Sequence, residues 1–392
     1  DGDGRDDVLI RGFEIARTPG GISPVNVDGL GFGLPIDNIG ILAENVRNLT
    51  ISCNIIRDQS FGVAGLYDAT EPGAPATFSM DIDDNTIRDS TVGVYMFGSG
   101  AGTGQYIGRV RNNEFENLAI EVQATVVGLA DTTLSVEDNT FRDPGAIVLF
   151  TVVGITNDAS IGITGNTFEQ GGLAQMVAGI IGRDLDADIS GNRMLAGPGP
   201  SQLQFVQAGS VGRDLWLHAD NNLMENGLAL LSLAPVGRNS DVSFSGNTLL
   251  NSPGGALTLI SSTVGGNAIL RLDNNGIISP SGAGMTVILP DAASTSRRRV
   301  MAPARAVGAW PEVRTRSMPR RMRSSSARKG SSVISKARWQ VIPMGLASAT
   351  SSRMRSVSIR PPGSRMPKTT PSAPSSRAAR MSWRMISNSS SV

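Results

Sequence analysis

The chain of 392 residues reads as all-β: a parallel β-helix of about ten rungs over residues 1–291, followed by a disordered basic tail over 292–392. Three observations predict this. An Asn returns nine times, as Asn54, Asn85, Asn113, Asn139, Asn166, Asn192, Asn222, Asn247 and Asn275, at spacings of 25 to 31 residues. The same apolar neighbours accompany it each time. Composition then breaks near residue 295, where the repeat stops. A period of 20–50 residues signals a solenoid, whose units bury their apolar face only by stacking.

Within one unit, apolar residues stand five and three places before the Asn. The nearer position holds Ile51, Ile82, Val110, Val136, Ile163, Ile189, Ala219, Phe244 or Leu272. The farther one is mostly apolar, with Gly108 and Ala187 as small exceptions. Positions two apart share one face of a strand, so this segment reads as a strand with an inward face. The Asn reads as the turn residue, because Asn tolerates the left-handed backbone conformation. Two places on, Ile56, Ile87, Phe115, Phe141, Phe168, Met194, Met224, Leu249 or Ile277 returns the chain to the interior. A second strand follows each turn, as in 92–97, 120–127, 146–153, 174–181, 256–260 and 285–289. These runs are short and punctuated by Gly and Pro, unlike helical repeats. Stacked rungs would let the Asn side chains hydrogen-bond along the stack as a ladder.

Phrases such as Asp-Asn-Thr-Phe at 138–141, Gly-Asn-Thr-Phe at 165–168 and Gly-Asn-Thr-Leu at 246–249 resemble the right-handed parallel β-helix repeat of the pectin-lyase-like superfamily. The resemblance covers residues 1 to about 291. The segment 8–15 fits as a tenth rung with Phe13 in the Asn position. At ~4.8 Å per rung the rod is on the order of 50 Å long. The resemblance implies the fold and leaves the activity open, because lyases, hydrolases, esterases, epimerases and inert adhesins share it. It also implies an extracellular or cell-surface location, which an acidic, Lys-free, Asn- and Gly-rich body suits.

Net charge divides the chain. Residues 1–295 hold 14 Arg, no Lys and 33 acidic residues, a balance of −19; residues 296–392 hold 18 Arg, 3 Lys and Glu312 alone, a balance of +20. All 11 Phe precede residue 296. Such a tail lacks the apolar content to build a core. One reading makes it a disordered arm that binds nucleic acid or another polyanion. The other makes it the product of a frameshift near residue 295. In a frame shifted by one base, Thr369-Thr370-Pro371-Ser372 permits Asp-Asn-Thr-Phe, the phrase of 138–141. Nucleic-acid binding is then expected only of a genuine tail.

Cys53 is the sole cysteine, so no disulfide forms within the chain; a buried or turn-lining thiol is the favoured reading over a nucleophile. No stretch approaches the ~20 apolar residues of a membrane span. The opening at Asp1, without Met or signal peptide, reads as a fragment or processed product. Asp1-Gly2-Asp3-Gly4-Arg5-Asp6-Asp7 hints at a calcium loop, but Arg5 stands at the third ligand position. A polar turn is the better reading, and no cofactor is expected. Asp131, Asp158, Asp184 and Asp214 each lie eight places before their Asn, and Asn239 and Asn267 continue the column. They read as side-chain turns with the amides that follow; a cation between the stacked carboxylates is the alternative.

The sharpest candidate site joins two rungs that open Gly-Arg-Asp-Leu. Aligned on Asn192 and Asn222, Asp186 lies beside Trp216 and Asp188 beside His218, all pointing outward, with Asp241 and Ser243 on the next rung. Two carboxylates ~6.5–7 Å apart along a strand suit acid/base work on a glycosidic bond. A His–Asp pair can serve as a base, and Trp216 and Asp241 could contact a ligand. Against catalysis, the second strand's outward residues read as Tyr95, Phe97, Glu121, Gln123, Val148, Phe150, Gln175 and Val177, of which Glu121 alone is a carboxylate or a base. Galacturonases and lyases that share the resemblance place carboxylates and Arg or Lys there. The expectation is therefore a non-catalytic binding or adhesion scaffold with a polysaccharide or cell-surface partner. A polysaccharide lyase or glycoside hydrolase working through Asp186, Asp188 and His218 is the alternative.

Overall fold

A computed structural model describes residues 6–17, 38–198, 201–252, 255–278, 283–290, 298–301, 305–307 and 341–344. These belong to one compact unit, Asp1–Gly345; the second unit, Leu346–Val392, lies outside the described residues. Every described element is a β-strand, and every pairing between strands is parallel. The chain is a parallel β-solenoid in which the nine Asn levels bound eight complete turns.

Each turn contributes to three faces. The first face is a sheet of eleven strands in chain order, from Val8–Arg11 through Ala159–Thr164, Leu185–Asp188 and Leu215–His218 to Arg298–Met301. The second face holds the short strand after each Asn, such as Ile55–Arg57 or Leu223–Glu225. The third holds the longer strand that follows, such as Phe61–Asp68 or Gly227–Ser232. In the middle turns the second and third faces are one bent strand, as in Thr86–Ser99, Glu114–Val127 and Thr140–Val153. An isolated ladder of parallel bridges, Ile155 to Ile181, Val211, Val236 and Val264, closes the circuit. Beyond the last Asn, Arg298–Met301, Arg305–Val307 and Val341–Met344 pair in parallel on the preceding strands. Otherwise the tail, and with it the frameshift and polyanion readings, lies outside the described residues.

The apolar columns stack as the repeat requires. Ile51, Ile82, Val110, Val136, Ile163, Ile189, Ala219, Phe244 and Leu272 are all buried, as are Ile56 to Ile277 on the far side of the turn. Three of the latter form a ring stack, with Phe115 to Phe141 at 5.1 Å and Phe141 to Phe168 at 4.7 Å. Full burial of one such side chain contributes about 1.5–3 kcal/mol. Gly108 interrupts its column because Tyr106, stacked 4.8 Å from Phe78, and Met96 fill the space; a Cβ there would meet the Met96 sulfur at 2.4 Å.

The Asn residues form an unbroken ladder. Each Nδ2 donates to Oδ1 of the next Asn at 2.9–3.1 Å. The backbone N–H of each donates to the same Oδ1 at 2.8–3.1 Å. Each Nδ2 also donates to the carbonyl three places before the preceding Asn, at 2.7–3.0 Å. At the first level the N–H of Phe13 donates to Asn54 Oδ1 at 2.9 Å, so Phe13 holds the Asn position by backbone while its ring is exposed.

Two expectations are corrected. The left-handed residue is not the Asn but the one before it: Gly12, Cys53, Asp84, Asn112, Asp138, Gly165, Gly191, Asn221, Gly246 and Asn274 all have φ between 53° and 76°. The turn there frees the Asn side chain to point inward. Val148 and Phe150 also point inward, fully buried, because Val122 and Ala124 pair with them in register. The run 146–153 is apolar but for Thr151, so its sequence carries too little alternation from which to read the parity.

Replacing Asn166 by Ala strands the backbone N–H of Asn139 and takes the side-chain donor from the carbonyl of Val136, both in the interior, while Asn139 Nδ2 keeps the carbonyls of Val110 and Glu137 and Asn192 Oδ1 keeps the N–H of residue 166. At about 1–3 kcal/mol for each buried orphan, the expected loss in urea unfolding is about 2 kcal/mol or more. Glu169→Gln, at an exposed position, should stay within about 0.5 kcal/mol of the parent.

Candidate functional site

The outward residues of the eleven-stranded sheet fall into columns one strand spacing apart. The register brings together the residues expected to meet: Asp186 pairs with Trp216 and Trp216 with Asp241, while Asp188 pairs with His218 and His218 with Ser243. Leu185, Ala187, Leu215 and Leu217 are buried beneath them, which fixes the outward direction of the polar set. Trp216 keeps 39% of its surface exposed, a large exposure for an indole.

The members of the set differ in what they can do. Asp241 is not open to a ligand, because Arg271 from the next turn clasps both its oxygens, through Nη2 to Oδ2 at 3.0 Å and through Nη1 to Oδ1. Asp188 has a buried Oδ1 without a hydrogen-bond partner. On its other side it faces Gly162, which leaves a notch between Ser135 and Asp188. Asp186 is exposed at its edge, yet burial of its carboxyl pushes its pKa up; Asp188 adds to this and His218 opposes it. Asp186 also closes one end of a shallow groove of about 390 Å³, lined by Gln105, Thr133, Ser160 and the carboxylates of Asp131, Asp158 and Asp184.

Those last carboxylates belong to a second ladder, which is not a series of local turns. Asp131 Oδ1 accepts the N–H of Asp158, Asp158 that of Asp184, Asp184 that of Asp214, and Asp214 that of Asn239, at 3.1–3.2 Å. Arg residues stand between successive carboxylates. Arg213 bonds Asp184 at 2.8 Å, Arg238 clasps Asp214, and Arg183 lies 3.5 Å from Asp158. The Arg guanidinium of the next turn thus neutralises Asp158, Asp184 and Asp214, where a bound cation was the alternative, while Asp131 accepts from Asn157 Nδ2 at 3.3 Å. Among the described residues no group of three or more His, Cys, Asp or Glu is placed to hold a metal; Asp1–Arg5 lies outside them. The phrase Gly-Arg-Asp/Asn at 182–184, 212–214 and 237–239 was the available signal. Its Arg and Asp are adjacent in sequence, which hides a partnership one turn away. The Gly of that phrase is required, since a Cβ at Gly212 would meet the carbonyl oxygen of Gly182 at 2.0 Å.

On the third face, Glu121 is not a cleft residue. It is 1% exposed, and its carboxyl is pushed up to about 8, chiefly by burial, against the opposing hydrogen bond from the Ile147 N–H. Asp143, hydrogen-bonded to it, adds to the rise. Tyr95 also points outward, but it is buried with Leu66 and Val92 in a small exterior cluster edged by Phe61, Phe97 and Ile120. The outward positions of the following turns, Gln123, Leu149, Gln175, Gln204, Leu230 and Thr258, carry no charge.

No known protein family matches the chain, and neither a curated protein nor a solved structure shows significant similarity to it.

Arg238, with the N–H of Asn239, holds the Asp214 carboxyl down to about 2, against an ordinary 3.8. A depressed carboxyl stabilises the fold above its unfolded value, and that stability is lost as pH falls through the folded value. Thermal melting should therefore fall between about pH 4 and pH 2. Asp214→Asn should melt lower than the parent at neutral pH and show a shallower acid limb.

Proposed function

We propose that this protein is a non-catalytic binding scaffold, a secreted or cell-surface β-helix of the pectin-lyase-like kind, and that it holds a neutral glycan along its eleven-stranded face. The observation that carries the reading is Trp216, exposed next in register to the groove that ends at Asp186. An indole offers a flat apolar platform for the C–H face of a sugar. The groove beside it offers what sugar hydroxyls need: a carboxylate acceptor at Asp186, and hydroxyls at Thr133 and Ser160. The balance of −19 over residues 1–295 disfavours uronate polymers, whose charge has the same sign. The uncharged outward column from Gln123 to Thr258 on the third face also argues against a cleft for charged sugars.

A specific observation favours the enzymatic reading in second place. Asp186, with its raised pKa, neighbours Asp188 on one strand, as a general acid would neighbour a second carboxylate. Asp188 and His218 are one strand spacing apart, but the ligand-free geometry shows no hydrogen bond between them.

Titration calorimetry against neutral and uronate oligosaccharides checks the scaffold reading. Binding should be confined to a neutral glycan, and Trp216→Ala should weaken it about 10-fold or more at unchanged melting temperature. Equal affinity in parent and variant would remove the site. Incubation with the same glycans separates the two readings: released product that disappears in Asp188→Asn would replace the scaffold by an enzyme.

A further inference from the structure

We propose that Glu121 and Asp143 form a latch that opens in alkaline solution, freeing the corner at 116–121 while the solenoid around it stays folded. The geometry is built for one shared proton. Glu121 and Asp143 come from successive turns and meet at the bend between the second and third faces, where the register shifts between Phe141 and Pro144. Three backbone N–H groups aim at the pair. Asn117 and Leu118 donate to Asp143 at 2.6 and 2.8 Å, and Ile147 donates to Glu121. Each carboxyl thus has backbone N–H donors on one side and the other carboxyl on its far side, so a proton held by Glu121 is shared between the two. Glu121 is the buried member, so it is the one that must stay neutral.

The charged neighbours do not relieve the pair. On the turn above, Arg142 is turned to Glu114. On the turn below, Arg88 lies 3.7 Å from Asp89, which in turn accepts from Asn117 Nδ2 at 2.6 Å. Glu116 on its own strand and Glu169 two turns above are exposed acids. Tyr95, on the turn below, is pushed up to about 12 by burial and stays neutral across the range in question. Among the described residues no Arg pairs with either carboxyl. Loss of the shared proton therefore leaves two adjacent carboxylates, one of them buried, with only backbone dipoles to hold them.

The segment they hold spans two apolar clusters. Leu118 packs on the main core and Ile120 on the exterior cluster of Leu66, Val92 and Tyr95. Opening the latch would lift Ile120 from that cluster and expose an apolar patch on the third face.

Hydrogen exchange of the full chain, corrected for intrinsic rates, tests this at about pH 6 and about pH 9.5. The amides of Asn117, Leu118 and Ile147 should lose protection about 10-fold or more at the higher pH, with those of Asn113, Asn139 and Asn166 unchanged. Glu121→Gln should keep its protection at both values, because the amide accepts from Ile147 and donates to Asp143 without titrating. Asp143→Asn provides the same test if the first variant does not fold. A parent as protected at high pH as at low, or a Glu121→Gln that opens alongside it, would overturn the latch. A carboxyl carbon resonance of Glu121 titrating below about pH 6 would overturn it equally.

Discussion

Every turn of this solenoid must repeat the backbone of the turn before it at ~4.8 Å, and the Asn ladder enforces that repeat from inside. The amide is suited to this because it carries a donor and an acceptor on one planar group. Its oxygen takes the N–H and Nδ2 of the level below, and its nitrogen reaches the level above and a carbonyl below. A carboxylate could not pass the chain on, since it has no donor, and a stack of them would repel. Every polar atom of the buried column is thus satisfied by the same column or by the backbone it fixes, which is the condition for tolerating polar groups in an apolar core.

With register set from within, the outer positions are released from structural duty and placed at fixed spacing. The charged ladder on the outside solves the same stacking problem differently. There, Asp131, Asp158, Asp184 and Asp214 accept backbone N–H groups from the next turn, and Asn157, Arg183, Arg213 and Arg238 fill the intervals. Water is available at that edge, so charge is permitted, and an alternation of signs replaces the alternation of donor and acceptor. Asp241 with Arg271 extends the habit to the centre of the sheet. A carboxylate on this surface is engaged by default, and the departures from that default, at Asp186 and Asp188, are the informative ones.

What could be read in advance follows from this division. Register was legible because a long period with a buried marker fixes the alignment of whole turns, and the pairs Asp186 with Trp216 and Asp188 with His218 follow from it. Local backbone was less so: Cys53, Asp84 and Asn112 carry the left-handed turn, yet the Asn that follows was the residue that repeated. Parity failed at Val148 and Phe150, where an apolar run hides its own alternation. Interactions between side chains of different turns were illegible from one strand, which is why the sequestration of Asp241 and the pairing of Glu121 with Asp143 had no sequence signal.

The two faces also differ in how far each can change without loss of the fold. The eleven-stranded face alternates a buried inward residue with an outward one that the core does not need, as in Leu185–Asp188 and Leu215–His218, so an outward substitution leaves the register untouched. The third face has no such separation near Glu121, because there outward side chains are themselves buried in the exterior cluster and a carboxyl sits among them. Variation is therefore cheap around Trp216 and expensive around Tyr95 and Glu121. A recognition surface that changes ligand by substitution belongs on the first of these faces, and a response to the chemistry of the surroundings belongs on the second.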